Sequence, residues 1–125
     1  GESYFFNEVQ RIKATIQKVN DGRKWLILID ELFKGTNVQD AMKCSLTVIR
    51  GLMKIRNSLF ILSTHLYEIG EDLKTYPNIS FRYFETNVKD DQLEFSYQLK
   101  EGISNDRIGY VILKREKVVE MLEKL

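Results

Sequence analysis

The sequence predicts an α/β fold: a mostly parallel sheet flanked by helices, with an antiparallel hairpin added towards the C-terminus. Three observations carry this. Two short apolar runs, at 25–29 and 59–62, stop abruptly at polar residues and enclose a segment of helical periodicity. Apolar residues at spacings of three and four before and between those runs mark helices able to cover the strands. After Pro77 the period becomes two, over 79–85 and again over 93–99, as in hairpin strands. The element order is then α-β-α-β-α-β-β-α.

The first helix is expected over 3–20. Phe5, Phe6, Val9, Ile12, Ile16 and Val19 give it one apolar face, Ser3 is placed to cap it, and Glu8 lies near the positive end of its dipole. Asn20, Asp21 and Gly22 form a stop and turn. The run 25–29 follows, and its unbroken apolarity reads as a strand buried on both faces. It runs into Asp30 and Glu31, then into Gly35, Thr36 and Asn37, which have turn chemistry and supply an N-cap at Thr36 or Asn37. A second helix is expected over 38–54, with Ala41, Cys44, Leu46, Val48, Ile49, Leu52 and Met53 buried and Gly51 a weak point. The second strand, 59–62, ends in Ser63, Thr64 and His65. A strand–helix–strand crossover then delivers Asp30, Glu31 and His65 to one edge of one sheet. A short helix over 66–75 closes at Tyr76–Pro77–Asn78. The hairpin strands turn within 87–91, a loop covers 102–105, and helix resumes at Arg107 in two pieces broken near 114–116.

The 125 residues suit one domain, with 43% hydrophobic and 30% charged residues, an ordinary globular composition. Lys and Arg total 19 against 18 Asp and Glu, so charge gives no argument for nucleic-acid binding by this chain itself. A single cysteine, Cys44, excludes an internal disulfide and fits a reducing, cytoplasmic setting. No apolar run has the length of a membrane span, and the first residues lack the basic and apolar regions of a signal peptide.

Carboxylates at the C-terminal edge of a parallel strand stand where open α/β sheets place their ligands. Either the strand simply ends in a polar turn, or Asp30 holds Mg²⁺ and Glu31 serves a water attacking a phosphoryl group. Mg²⁺ takes oxygen ligands and keeps part of its hydration, which suits a lone aspartate. A carboxylate can orient or deprotonate water, and a neutral donor such as His65 can face the phosphate. His65 also reads as an ordinary polar residue at a strand end. A phosphate-cradling Gly-x-x-x-x-Gly-Lys-[Ser/Thr] loop occurs nowhere in the sequence. The chain by itself is therefore not expected to bind or hydrolyse ATP.

The segment Asp30-Glu31-Leu32-Phe33-Lys34-Gly35-Thr36-Asn37, followed by Asp40, resembles the Walker B and D-loop segment of MutS, the DNA mismatch-repair ATPases. Ser63-Thr64-His65 with Glu68 is similar to that family's Ala-Thr-His-x-x-Glu segment. Ser3, Phe5 and Glu8 match its Ser-x-Phe-x-x-Glu helix start, and Tyr97, Leu99, Gly102, Ser104 and Gly109 resemble its hairpin strand, loop and following helix. The resemblance covers nearly the whole chain in order. It implies an ABC-type P-loop NTPase core of which this chain is the C-terminal part, with the Walker A half preceding Gly1.

The resemblance also implies roles. Asp30 would hold Mg²⁺, Glu31 would act as general base or water-positioning group, and His65 would be the switch histidine beside the γ-phosphate of ATP. Asp40 would be the D-loop residue that communicates across a homodimer. Ser3, at a helix start suited to anions, would reach the γ-phosphate held by the partner subunit. Mismatched or structured double-stranded DNA would be bound through domains outside this chain, with ATP binding and hydrolysis driving dimer closure and clamp switching. Two departures stand out: Phe33 and Lys34 replace the family's Gly-Arg, and Ala41 replaces the glycine after Asp40. The competing readings are another ABC-type DNA-repair or recombination ATPase, and a non-catalytic dimerisation module with the same fold.

Overall fold

A computed structural model of the chain describes residues 2–104 and 108–125. The expectations placed on Gly1, Asn105 and Arg107 lie outside the described residues. The chain divides between Ile79 and Ser80 into two units.

The first unit opens with helix α1 (Glu2–Val19). Its inward stripe is Phe5, Glu8, Ile12, Thr15 and Val19, with Glu8 and Val19 buried. Phe6, Val9 and Ile16, expected on the same face, are exposed. Val9 and Ile16 lie at the margin of that stripe and Phe6 beyond it, so a single row of side chains is buried. Because α1 already includes Glu2, Ser3 lies within its first turn and is not its N-cap. After α1 the chain turns through Gly22 at φ +83°, a conformation that costs glycine nothing.

Strand β1 (Leu26–Ile29) pairs in parallel with β2 (Leu59–Leu62), Leu26 opposite Leu59 and Ile29 opposite Leu62. Helix α2 (Val38–Leu52) connects them, as the crossover requires. Asn37 is its N-cap. The short helix α3 (Ile69–Leu73) follows β2 and buries Ile69, Gly70 and Leu73. The core gathers Leu32, Phe33 and Ala41, with Phe5, Ile12, Ile29, Cys44, Val48, Ile49, Leu62 and Leu66 packed around them.

The expectation of a strand buried on both faces is corrected. Ile27 is buried, but Leu26 and Leu28 are 60% and 68% exposed, as are their partners Leu59 and Ile61 at 62% and 56%. Residues on one strand alternate between faces. The helices of this unit cover one face, leaving the other apolar face bare.

In the second unit β3 (Arg82–Lys89) and β4 (Gln92–Glu101) form an antiparallel hairpin. The turn is the Asp90–Asp91 pair, at φ 51° and 61°, the left-handed pair that a two-residue hairpin loop demands. The alternation read along 93–99 is broken by a bulge: Phe84 pairs with Leu99, but Thr86 pairs with Phe95. Tyr97 sits in the bulge at φ 57° and is exposed. Phe84, Phe95 and Leu99 share one exposed face. Helix α4 (Ile108–Arg115) and helix α5 (Val118–Glu123) are separated at Lys117, φ 68°, close to the expected break. Met121, Leu122 and Leu125 of the tail are exposed. The parallel sheet contains only β1 and β2 among the described residues, and the hairpin is a separate sheet.

Candidate functional site

The parallel ladder continues past the strand ends and builds the site. Ser63 N–H donates to the Ile29 carbonyl at 2.9 Å, and Leu32 N–H donates to the Ser63 carbonyl at 3.1 Å. Between those bonds the chain places Asp30 and Glu31 against Ser63. The Ser63 hydroxyl accepts from Glu31 N–H at 2.8 Å and donates to Asp30 Oδ1 at 2.6 Å. Glu31 and Phe33 both adopt left-handed backbone, at φ 52° and 53°. Such conformations cost a non-glycine residue of order 1 kcal/mol or more and persist where the surroundings enforce them. Here they leave the Glu31 side chain part exposed while Leu32 and Phe33 drop into the core, 4% and 5% exposed.

Both oxygens of Glu31 are engaged. Lys34 Nζ donates to Oε2 at 2.8 Å, and His65 Nε2 lies 3.2 Å from Oε1. These two contacts, Lys34 first and His65 second, hold the Glu31 carboxyl below its usual range. Lys34 is raised in turn, first by Glu31 and then by a hydrogen bond with Tyr4 of α1. Lys34 thus supplies a cation directly to the second carboxylate. Phe33 supplies a core side chain whose ring centroid lies 5.8 Å from that of Phe5.

The structure therefore brings Asp30, Glu31 and His65 to one strand edge, as read from the sequence. Asp40 and Ser3 stand apart from that contact set. Asp40 N–H donates to Asn37 Oδ1 and its Oδ2 accepts from Asn37 Nδ2, both at 2.9 Å, a reciprocal cap at the start of α2. Ser3 is exposed in the first turn of α1.

Two participants were not given these parts by the sequence. Ser63 links the two carboxylates. Glu8, taken as a dipole partner, instead reaches away from α1. Its Oε2 accepts from Lys34 N–H at 3.0 Å and its Oε1 from Gly35 N–H at 2.7 Å. The signal available was an acid on the inward stripe between Phe5 and Ile12, where an unpaired charge would be costly.

As a metal donor set the site is lean. Asp30 keeps Oδ2 free of hydrogen bonds among the described residues, with the Ser63 hydroxyl against its other oxygen. No group of three or more His, Cys, Asp or Glu side chains is gathered for a metal ion among the described residues. One carboxylate oxygen fits a hydrated Mg²⁺ whose remaining ligands are water and phosphate, and does not fit a protein-caged ion. No helix of the described residues is long and apolar enough to cross a membrane.

The family model of MutS domain V matches residues 1–122. MutS protein homolog 4 of Mus musculus is 30% identical over 111 residues, covering 84% of this chain and 11% of that protein. The DNA mismatch repair protein MutS of Aquifex pyrophilus is 26% identical over 129 residues, covering 100% of this chain and 15% of that protein. The DNA mismatch repair protein MSH4 of Arabidopsis thaliana is 26% identical over 100 residues, covering 80% and 12%. The chain thus spans 11–15% of the length of these relatives.

Proposed function

The chain belongs to the MutS family as its domain V, and on that premise we propose that it carries the metal- and water-handling half of an ATPase site in a larger DNA mismatch-repair-type protein. The observation that carries this reading is the edge cluster: Glu31 in contact with His65, with Asp30 bound to the same Ser63 hydroxyl that Glu31 N–H meets. A merely polar strand end calls for no such convergence from two strands.

In this reading Asp30 holds Mg²⁺, which when bound neutralises charge on the phosphate oxygens. Glu31 orients the attacking water or takes its proton. With Lys34 and His65 each on one oxygen, Glu31 keeps further lone pairs on both for a water. His65 is almost fully exposed, at 86% of its side chain, and is the partner free to swing towards a phosphate. Ser3 and Asp40 serve a homodimer interface, Ser3 offering its hydroxyl to nucleotide held by the partner and Asp40 communicating across the contact. Their exposure suits that division. The phosphate loop belongs to a Walker A half outside this sequence, and the bare apolar face of β1 and β2 is what helices packed on the second face of a parallel sheet would cover. DNA is bound by other domains, and nucleotide turnover drives dimer closure and clamp switching.

The test is steady-state ATP hydrolysis by the full protein that carries this chain. Asp30→Ala is expected to abolish Mg²⁺-dependent turnover, and His65→Ala to lower kcat by tenfold or more. Wild-type turnover in Asp30→Ala refutes the metal assignment. Calorimetry on the 125-residue chain alone is expected to detect no ATP binding, and micromolar affinity there refutes the division into two halves.

A further inference from the structure

Glu8 is 9% exposed, an unusual burial for a carboxylate, and makes no salt bridge among the described residues. Its charge is met instead by the backbone N–H groups of Lys34 and Gly35, at 3.0 Å and 2.7 Å. Bonds from N–H groups to a buried carboxylate are among the stronger ones a protein makes. Two further contacts fasten the same turn of α1 to the same loop. Gly35 approaches α1 so closely that a Cβ would collide with Tyr4, would lie 2.6 Å from Glu8 Oε1 and would lie 3.0 Å from Phe5 N. The Phe5 and Phe33 rings also pack together, their centroids 5.8 Å apart. From that fixed backbone Lys34 reaches Glu31 at 2.8 Å.

We propose that Glu8 is a positioning residue for Glu31: its buried carboxylate fixes the backbone from which Lys34 holds the Glu31 side chain. The first turns of α1 and the loop after β1 consequently behave as one body. A displacement of α1 reaches Glu31 through Glu8, the Lys34 backbone and the Lys34 side chain, in that order. This inference rests on the reading of Glu31 as the water-handling group.

The test uses the full protein. Glu8→Gln keeps the shape but leaves one amide N–H facing an NH₂ group. Its kcat for ATP hydrolysis is expected to fall by tenfold or more with KM for ATP unchanged within about twofold. Lys34→Met should also slow turnover, and Glu8→Gln added to it should cost less than a further threefold, because both act along one chain of contacts. Equal fractional losses in the two backgrounds, or wild-type kcat in Glu8→Gln, overturn the inference. A second measurement needs no variant: hydrogen exchange of a peptide over 33–36 should be as slow as that of α1 around Glu8. Exchange at the rate of a free loop also overturns it. Glu31→Gln is the control. If it hydrolyses ATP like the wild type, the proposed function fails and the inference falls with it. If it is inactive while Glu8→Gln is fully active, only the role of Glu8 fails.

Discussion

Gly35→Ala puts the packing of α1 on the carboxylate loop to a quantitative test. Gly35 does not have positive φ, so alanine meets no torsional penalty there. The cost is steric. The added methyl would strike the Tyr4 ring, crowd Glu8 Oε1 at 2.6 Å and press on the α1 backbone at Phe5 N, 3.0 Å away. Tyr4 can rotate aside, but Glu8 is pinned by its two amide bonds and Phe5 N belongs to the helix. Overpacking of this kind costs about 1–3 kcal/mol. Loss of the Gly35–Glu8 bond adds roughly 1.5–3 kcal/mol, the range for bonds to charged groups. Partial relaxation shares these costs, so a net destabilisation of about 2–4 kcal/mol is expected. Urea denaturation followed by circular dichroism should show it as a midpoint lowered by about 1–2 M at unchanged slope. Gly51→Ala is the internal control. A Cβ there meets nothing within 4 Å inside α2, so alanine should stabilise by about 0.5–1 kcal/mol. If Gly35→Ala lies within about 0.5 kcal/mol of the wild type, the ordinary range of a surface substitution, the close approach is wrong.

Two further outcomes are expected. Ser45 is fully buried on the inward stripe of α2, and its hydroxyl has no hydrogen-bond partner among the described residues; Ser45→Ala removes that desolvated group and should raise stability by about 1 kcal/mol in the same urea assay, a loss of stability refuting the reading. Asp21 accepts hydrogen bonds from the Trp25 indole N–H and from Arg23, first the former, which lower its pKa from 3.8 to about 2. Because the folded value is the lower one, its contribution is complete above 3.8 and is lost as pH falls through about 2. Carboxyl-carbon NMR should therefore show a midpoint near 2, and a midpoint at 3.8 would contradict the geometry.

The elements most legible in sequence are those where one period dominates. Leu59–Leu62, the start of α2 at Val38 and the break between α4 and α5 fall where periodicity and turn residues place them. The strand edge carrying Asp30, Glu31 and His65 was legible too, because a carboxylate pair ending an apolar run has few structural uses. Other features depend on what lies across the chain fold. A run such as Leu26–Ile29 is apolar on both faces, and nothing local says which face this chain covers. The bulge at Tyr97 breaks an alternation that the residue types preserve. Glu8 and Ser45 are polar residues on inward stripes. The burial of Glu8 follows from its long-range bonds to the 34–35 backbone, which periodicity does not encode.

Glu31 is proposed to handle the water of ATP hydrolysis. The most direct measurement compares turnover and nucleotide binding in the full protein with and without Glu31→Ala. Steady-state hydrolysis should fall by about a hundredfold or more, the scale of a lost general base, while ATP affinity stays within a few-fold of the wild type. Undiminished turnover in Glu31→Ala would rule out Glu31 as the water-handling group.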